Sequence, residues 1–413
     1  MLENVERFDM IRKPQRQLLR PLIWALCFPS VWSHKTKIEK VNMKGIKPPY
    51  LLLSNHNAFM DFKVLTRAIF PHRANYVIAI DGFIKREWIL RRVGGICKRK
   101  FTNDTTLIKQ LKRVINNGDI AVIYPEARYS LCGTNAILPE SLGKLAKFLN
   151  VPVVTLVCNG HHINSPFWNT PKDRHVKGLT ATLKCIATAD DVKNLSHNEL
   201  FDRIKNEIVY DDFKWQKDNN IKVNYKNRAQ GLSKVLYQCP NCKTEYKMDS
   251  SGAKIWCNHC HKEWTMNEYG ELSATSGKTE FSHIPDWYNW ERQNVINEIK
   301  SGKYYFESPV HIDALPNSKG YIHLGQGKLI HDMNGFKLFG NDGKKDFEVN
   351  LDSKTTYSVH IEYNYLNKFG DCIDLNTLKD TLYVYPEKPD FSITKISLAT
   401  EEIYNYYKKP LNN

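Results

Sequence analysis

In the stretch Ser54-Asn55-His56-Asn57-Ala58-Phe59-Met60-Asp61 a histidine and an aspartate stand close enough in the chain to meet at a turn. The imidazole can take a proton from an incoming hydroxyl, and the carboxylate can fix its tautomer and stabilise the imidazolium that forms. Such chemistry needs no serine or cysteine nucleophile. Two elements would position the pair. Leu51-Leu52-Leu53 is an apolar run that reads as a buried parallel strand, and the polar residues after it cannot comfortably continue it. Ala58, Phe59, Val64, Leu65, Ala68 and Ile69 then recur at helical spacing, which places His56 at a strand-to-helix turn and Asp61 in the first turns of the helix. The same residues also fit a helix-capping histidine with an aspartate complementing the helix dipole, so taken alone they leave both readings open.

The elements around this turn alternate. Residues 76–80, 120–124 and 151–157 read as strands, and residues 83–93, 105–116 and 142–149 as helices, with Gly118 stopping the second of these. That order predicts an α/β domain with a largely parallel sheet flanked by helices. Ligands of such sheets gather at the carboxyl ends of the strands. Three polar groups fall at such ends and are expected to converge: His56 with Asp61, Lys98-Arg99-Lys100, and Glu126 with Arg128. The three consecutive cations suit either a solvated turn or a phosphate-binding loop.

Composition narrows the partners. Of 413 residues, Lys+Arg number 59 and Asp+Glu 44, a formal charge of +15. Positions 1–120 hold 23 basic and 9 acidic residues, a difference of 14, so the basic surface belongs to the part that holds His56. Nucleic acid, anionic lipid and phosphorylated substrates all fit that surface. Glu3, Glu6, Asp9 and Arg12 interrupt the opening, which predicts no signal peptide. Six of the 10 cysteines (Cys27, Cys97, Cys132, Cys158, Cys185 and Cys372) follow no pattern, and reduced thiols in the cytoplasm are the simpler reading. Pro-Leu-Ile-Trp-Ala-Leu-Cys-Phe-Pro-Ser-Val-Trp-Ser-His from position 21 is uncharged with a basic rim, too short to span a bilayer. It suits the interface of an anionic membrane and equally a core helix.

Cys239-Pro-Asn-Cys242 and Cys257-Asn-His-Cys260 stand 14 residues apart, close to the spacing of a structural four-cysteine zinc site built from two knuckles and a hairpin. His259 and His261 are bystanders in this reading. Residues 211–228 read as a surface linker and residues 285–300 as a helix. Beyond them the period changes to two, with a turn signal at Asn334-Gly335 and a last helix over 398–408 after an N-cap at Ser397. A small antiparallel sheet or barrel closed by that helix is expected, with a pleckstrin-homology-like barrel as a loose analogy. His360, Asp371 and Asp374 read as turn and surface residues. The division expected is an interfacial helical segment at 1–35, an α/β domain at 36–232, a zinc ribbon at 233–275, a helical linker at 276–302 and a β-rich domain at 303–413.

Four blocks in order, Asn55-His56 to Asp61, Gly95-Ile-Cys-Lys-Arg99, Tyr124-Pro-Glu-Ala-Arg128-Tyr-Ser130 and Val151-Pro-Val-Val154, resemble the glycerolipid acyltransferase family, which includes 1-acylglycerol-3-phosphate acyltransferases. The resemblance covers about residues 15–210. It implies transfer of a fatty acyl group from acyl-CoA or an acyl-carrier-protein thioester to a lysophospholipid hydroxyl, most simply 1-acylglycerol-3-phosphate giving phosphatidate. His56 would be the base and Asp61 its orienter. Asn55, Gly95, Lys98, Arg99, Glu126 and Arg128 would serve the acceptor, with Lys98, Arg99 and Arg128 on its phosphate and Glu126 on its glycerol hydroxyl. The N-terminal apolar segment would dock the protein on an anionic membrane, peripherally on the cytoplasmic face. The third block departs from the family pattern F-P-E-G-T-R-S: Ala127 stands at the glycine, and Arg128 one place before the usual arginine. The ribbon and β-rich tail lie outside the family core and resemble the tail of a group of bacterial acyltransferase-like proteins.

Two other classes remain as rivals. A zinc-ribbon nucleic-acid-binding protein would use the basic first third on phosphates, but Glu245, Tyr246, Glu263 and Trp264 leave the ribbon without a basic excess. A catalytically altered acyltransferase fold serving as a lipid-binding protein would explain the departures in the third block.

Overall fold

The computed structural model describes residues 4–169 and 173–408; positions 1–3 and 409–413, at the outer ends of the first and last expected domains, lie outside the described residues. Strands β1 (Lys37–Val41), β2 (Leu51–Ser54), β3 (Ala74–Ala79), β4 (Gly95–Lys98), β5 (Ile120–Ile123), β6 (Val153–Asn159) and β7 (Thr180–Ala187) form one sheet in the order β1-β7-β6-β2-β5-β3-β4. Strands β6, β2, β5, β3 and β4 are mutually parallel, β7 is antiparallel to β6, and β1 lies parallel to β7. Helices α1 (Arg20–Ser33), α2 (Met60–Ala68), α3 (Glu87–Arg92), α4 (Thr105–Asn116), α5 (Ser141–Leu149), α6 (His161–Asn164), α7 (Ala189–Asn194), α8 (His197–Glu207) and α9 (Asp212–Asp218) accompany it. This is an α/β fold with a largely parallel sheet.

Strand β2 sits at the centre because both its faces are apolar. Leu52 joins Val64, Leu65 and Ala68 of α2 in one core, while Leu51 and Leu53 join Leu107, Leu111, Leu142 and Ala146 of α4 and α5 in another. A strand covered on both sides reads as an unbroken apolar run, which is how this one stands in the sequence. Residues 211–228 are not a surface linker. They open with α9, whose buried Asp212 accepts hydrogen bonds from the N–H groups of Gly160 (2.9 Å) and His162 (2.7 Å), and so fixes the start of α6.

Strands β8 (Met248–Ser251), β9 (Lys254–Cys257), β10 (Glu263–Met266) and β11 (Leu272–Ala274) make a four-stranded antiparallel sheet. After helix α10 (Ile284–Lys300) come β12 (Phe306–Leu315), β13 (Ile322–Asp332), β14 (Gly335–Asn341), β15 (Asp346–Asp352), β16 (His360–Glu362), β17 (Cys372–Asn376) and β18 (Thr381–Pro386). They form an antiparallel sheet in the order β15-β14-β13-β12-β18-β17-β16, whose edge strands β15 and β16 do not pair with each other among the described residues, so the sheet is open rather than a barrel. The last helix, α11 (Ile393–Lys408), begins earlier than expected: Ser397 is not its N-cap but a fully buried interior residue.

Among the described residues of the N-terminal segment, α1 is the α-helix. Ahead of it Phe8 packs with Ile80 and Phe83 below the first sheet and with Leu315, Tyr383 and Tyr385 of the C-terminal sheet, and its N–H donates to Pro316 O at 3.0 Å. In α1 Ile23, Cys27 and Val31 face inward at helical spacing, leaving Leu22, Leu26 and Trp32 outside. Among the described residues no helix is long and apolar enough to cross a membrane.

Candidate active site

Where β2 ends, the chain is clamped before it turns. Ser54 Oγ donates to Leu156 O at 2.8 Å, and the Asn55 amide exchanges two 2.8 Å hydrogen bonds with the backbone of Cys158 on β6. The next residue is held by the loop after β5: the His56 N–H donates to Glu126 Oε1 (3.2 Å), and its carbonyl accepts from the Ser130 N–H (2.8 Å). The His56 side chain is thereby fixed at the carboxyl end of the central strand. Its Nδ1 lies 3.1 Å from Asp61 Oδ2, an oxygen that also accepts the N–H groups of Asn57 (2.6 Å) and Ala58 (3.0 Å).

Asp61 is fully buried and meets a second imidazole, His161 Nδ1, at 2.5 Å through Oδ1. Burial works to raise this carboxyl, but the hydrogen bonds from His161 and His56 outweigh it and hold it at about 2. An ionised carboxylate accepts, so the His56 proton sits on Nδ1 and Nε2 is left as the basic nitrogen. The rings of Tyr124 and Tyr129, with centroids 4.1 and 4.4 Å from the His56 ring, restrict its rotation.

His56 opens onto a cavity of about 1200 Å³. Ile89, Leu107, Ile108, Leu145 and Phe148 give it an apolar wall, and Ile23, Leu26 and Phe59 line it from α1 and the turn before α2. Its polar groups include Lys98, Lys100 and Asp81, and burial pulls the Lys98 ammonium below its ordinary value. The cavity therefore combines a proton acceptor, space for an alkyl chain and cations for an anionic head group.

The other residues expected at the acceptor are placed differently. Arg99 is turned away from the cavity: its guanidinium donates to Leu315 O (3.1 Å), Pro316 O (3.0 Å) and Thr381 Oγ1 (3.0 Å) of the C-terminal sheet. Arg128 is spent on α11, donating to Ser397 Oγ (2.5 Å) and Glu401 Oε1 (2.6 Å). Glu126 is buried with both oxygens taken, by the His56 N–H, the Ala136 N–H at 2.9 Å and the Tyr210 hydroxyl at 3.0 Å, and burial pushes its carboxyl up to about 8. It braces the base instead of facing a ligand. Asn55 acts through β6 as described, and Gly95 is a packing residue, since a Cβ there would stand 2.8 Å from Leu90 O. Of the six acceptor residues expected, only Lys98 has its charged group in the cavity without a structural partner taking it up.

Three buried residues were not anticipated. His161 follows the polar break after β6 just as His56 follows that after β2, so the strand-end rule that singled out His56 applied to it as well. His360 and Asp374 are not surface residues; both are buried, and His360 lines the cavity together with Tyr357, Glu362 and Tyr365. No local pattern marks them, because their approach to His56 depends on how the C-terminal sheet docks.

The four cysteines of the ribbon meet. Their sulfurs all lie within 4.8 Å of one another, with Cys239 and Cys260 3.7 Å apart and Cys242 and Cys257 also 3.7 Å apart. A tetrahedron of zinc–thiolate bonds of about 2.3 Å has edges of about 3.8 Å, so the set fits a four-coordinate zinc ion.

Residues 33–159 match the family model described as Acyltransferase. That segment contains His56, Asp61, Lys98 and Glu126. Among solved structures the chain is similar to the 1-acyl-sn-glycerophosphate (LPA) acyltransferase PlsC from Thermotoga maritima, at 13% identity over 46% of this chain and 76% of that one, with a TM-score of 0.36. No curated protein matches.

Proposed function

We propose that the protein is an O-acyltransferase that moves a fatty acyl group from a thioester, acyl-CoA or acyl-carrier protein, to a lysophospholipid hydroxyl, with 1-acylglycerol-3-phosphate as the simplest acceptor and phosphatidate as its product. The observation that carries this reading is the His56–Asp61 pair, 3.1 Å apart, opening onto a large, partly apolar cavity inside the segment that matches the acyltransferase family. His56 Nε2 takes the hydroxyl proton as the oxygen attacks the thioester carbonyl. The tetrahedral intermediate collapses with loss of the C–S bond, and the proton passes from His56 to the departing thiolate. A positioned base contributes on the order of 10²–10⁴-fold, and alignment in the cavity supplies much of the rest. Lys98 meets the acceptor phosphate.

The protein attaches peripherally to an anionic membrane on its cytoplasmic side. Leu26 (67% exposed), Phe59 (65%), Trp32 (62%) and Trp88 (64%) support this, with Lys63, Arg20 and Arg92 stacked over the rings of Phe59, Trp24 and Trp88. Apolar side chains flanked by cations suit an anionic lipid interface. Cys239, Cys242, Cys257 and Cys260 hold a structural Zn²⁺, which supplies a cross-link and no open coordination position. The test of the activity is formation of phospholipid by the purified protein from each thioester donor and a small set of lysolipid acceptors. Lipid binding without turnover for any donor would favour the catalytically altered lipid-binding reading instead.

A further inference from the structure

One wall of the cavity comes from outside the acyltransferase-like segment. Residues 357–365, around the edge strand β16, place Tyr357, His360, Glu362 and Tyr365 on it, beside Asp81 and Lys100 from the first sheet. His360 Nε2 lies 2.8 Å from Glu362 Oε1 and 3.9 Å from Asp374 Oδ2. Lys100 Nζ lies 3.5 Å from Asp81 Oδ2 and 3.8 Å from Asp374 Oδ2.

The charges in this group do not cancel. Lys100 and Asp81 compensate each other: burial works against both ions, but each holds the other charged. Burial drives Asp374 well above the ordinary carboxyl range, so it keeps its proton. Burial and then the nearby Lys100 cation lower His360, which leaves it neutral. Glu362 therefore faces a neutral imidazole and shares the Lys100 ammonium with Asp81, so two carboxylates stand against one cation. With the Nε2–H donated to Glu362, His360 Nδ1 is a bare acceptor, and it is buried without a hydrogen-bond partner. Leaving such an acceptor without a donor is unfavourable.

We infer that Glu362 and His360 form a head-group subsite for a cationic amine, so that the preferred acceptor is a lysophospholipid whose phosphate carries an ammonium group and not the bare phosphate monoester. This rests on the acyltransferase reading above. A monoester dianion would set its second charge toward Asp81 and Glu362. A zwitterionic head group puts its phosphate on Lys98 and its ammonium on Glu362, so the appended sheet selects the acceptor for the base supplied by the first domain.

The experiment measures kcat/KM of the full-length protein for lysophosphatidylethanolamine, lysophosphatidylglycerol and lysophosphatidate of one chain length, with one thioester donor. The ethanolamine lipid is expected to exceed the other two by on the order of tenfold, the scale of one charge-assisted hydrogen bond. Glu362→Gln should collapse that preference and Glu362→Asp, which keeps the charge, should retain most of it. A preference for lysophosphatidylglycerol would assign the subsite to hydroxyls and overturn the amine. Equal use of all three, or a preference untouched by Glu362→Gln, would overturn the subsite. Absence of turnover with every acceptor would sink the acyltransferase reading, and binding of the same monomeric lysolipids, read by tryptophan fluorescence of wild type and both variants, would then decide the subsite by the same preference.

Discussion

Asp61 and His161 meet at 2.5 Å between a carboxylate oxygen and Nδ1, both fully buried, so the aspartate that orients His56 is itself oriented from the opposite side by a second histidine. His161 does not line the cavity and acts on His56 through Asp61, as a positioning residue. In His161→Gln the Asp61 carboxylate loses one of four hydrogen bonds that fix it. The expected result is a fall in kcat of about tenfold, the cost of one buried hydrogen bond to a charged group, with KM little changed. A loss of stability with kcat unaltered would assign His161 to packing alone.

Arg128 and Glu401 form a buried pair at 2.6 Å, and Arg292 approaches Glu401 from the other side at 2.9 Å. Glu401→Gln leaves the buried Arg128 guanidinium without its countercharge, while Arg292 keeps Glu402 at 2.6 Å, and should destabilise the protein by about 3–5 kcal/mol in denaturant unfolding. A mutation in the last helix would thus loosen the loop that holds His56. Arg128→Met is expected to show itself in stability and not in acceptor KM.

Ala127 has φ 54°, in the left-handed region, at the place where the third motif resembles a family pattern with glycine. A non-glycine residue pays about 1–2 kcal/mol there, and glycine gives back part of this through the entropy of the unfolded chain. Ala127→Gly should therefore raise stability by about 0.5–1 kcal/mol. Thermal unfolding of the two proteins side by side checks this; a destabilised variant would mean that the Ala127 methyl group packs usefully.

Two carboxyls give opposite pH dependences. Glu126, raised by burial to about 8, stabilises the fold fully below its unfolded value and loses that contribution as pH rises through about 8. Asp61, held at about 2, contributes above its unfolded value and loses that contribution as pH falls through about 2. Between pH 5 and 8 the melting temperature of wild type should decline more steeply than that of Glu126→Gln. Parallel slopes would show that Glu126 ionises freely in the fold.

Much of this site was legible where the signal is local. The apolar run of β2 and the polar break after it placed His56 at a strand end, and the helical spacing of Val64, Leu65 and Ala68 placed Asp61 one turn away. The cysteine pairs are equally local, since a knuckle is set by two residues on either side of a turn. What could not be read was contact across the chain. Arg99 and Arg128 belong to motifs that suggest phosphate contact, yet Leu315 O and Glu401 take their guanidiniums, because the C-terminal sheet and α11 dock on that side of the domain. The same docking turned His360 from an expected surface residue into part of the cavity wall.

The central claim is that His56 is the base of an acyl transfer. Its most direct test is the rate of ester formation from a thioester and a lysophospholipid by wild type and His56→Ala, with lysolipid binding measured on both. Expected are turnover in wild type, a loss of at least about 10²-fold in the variant, and binding retained. Equal turnover by the two proteins would contradict it.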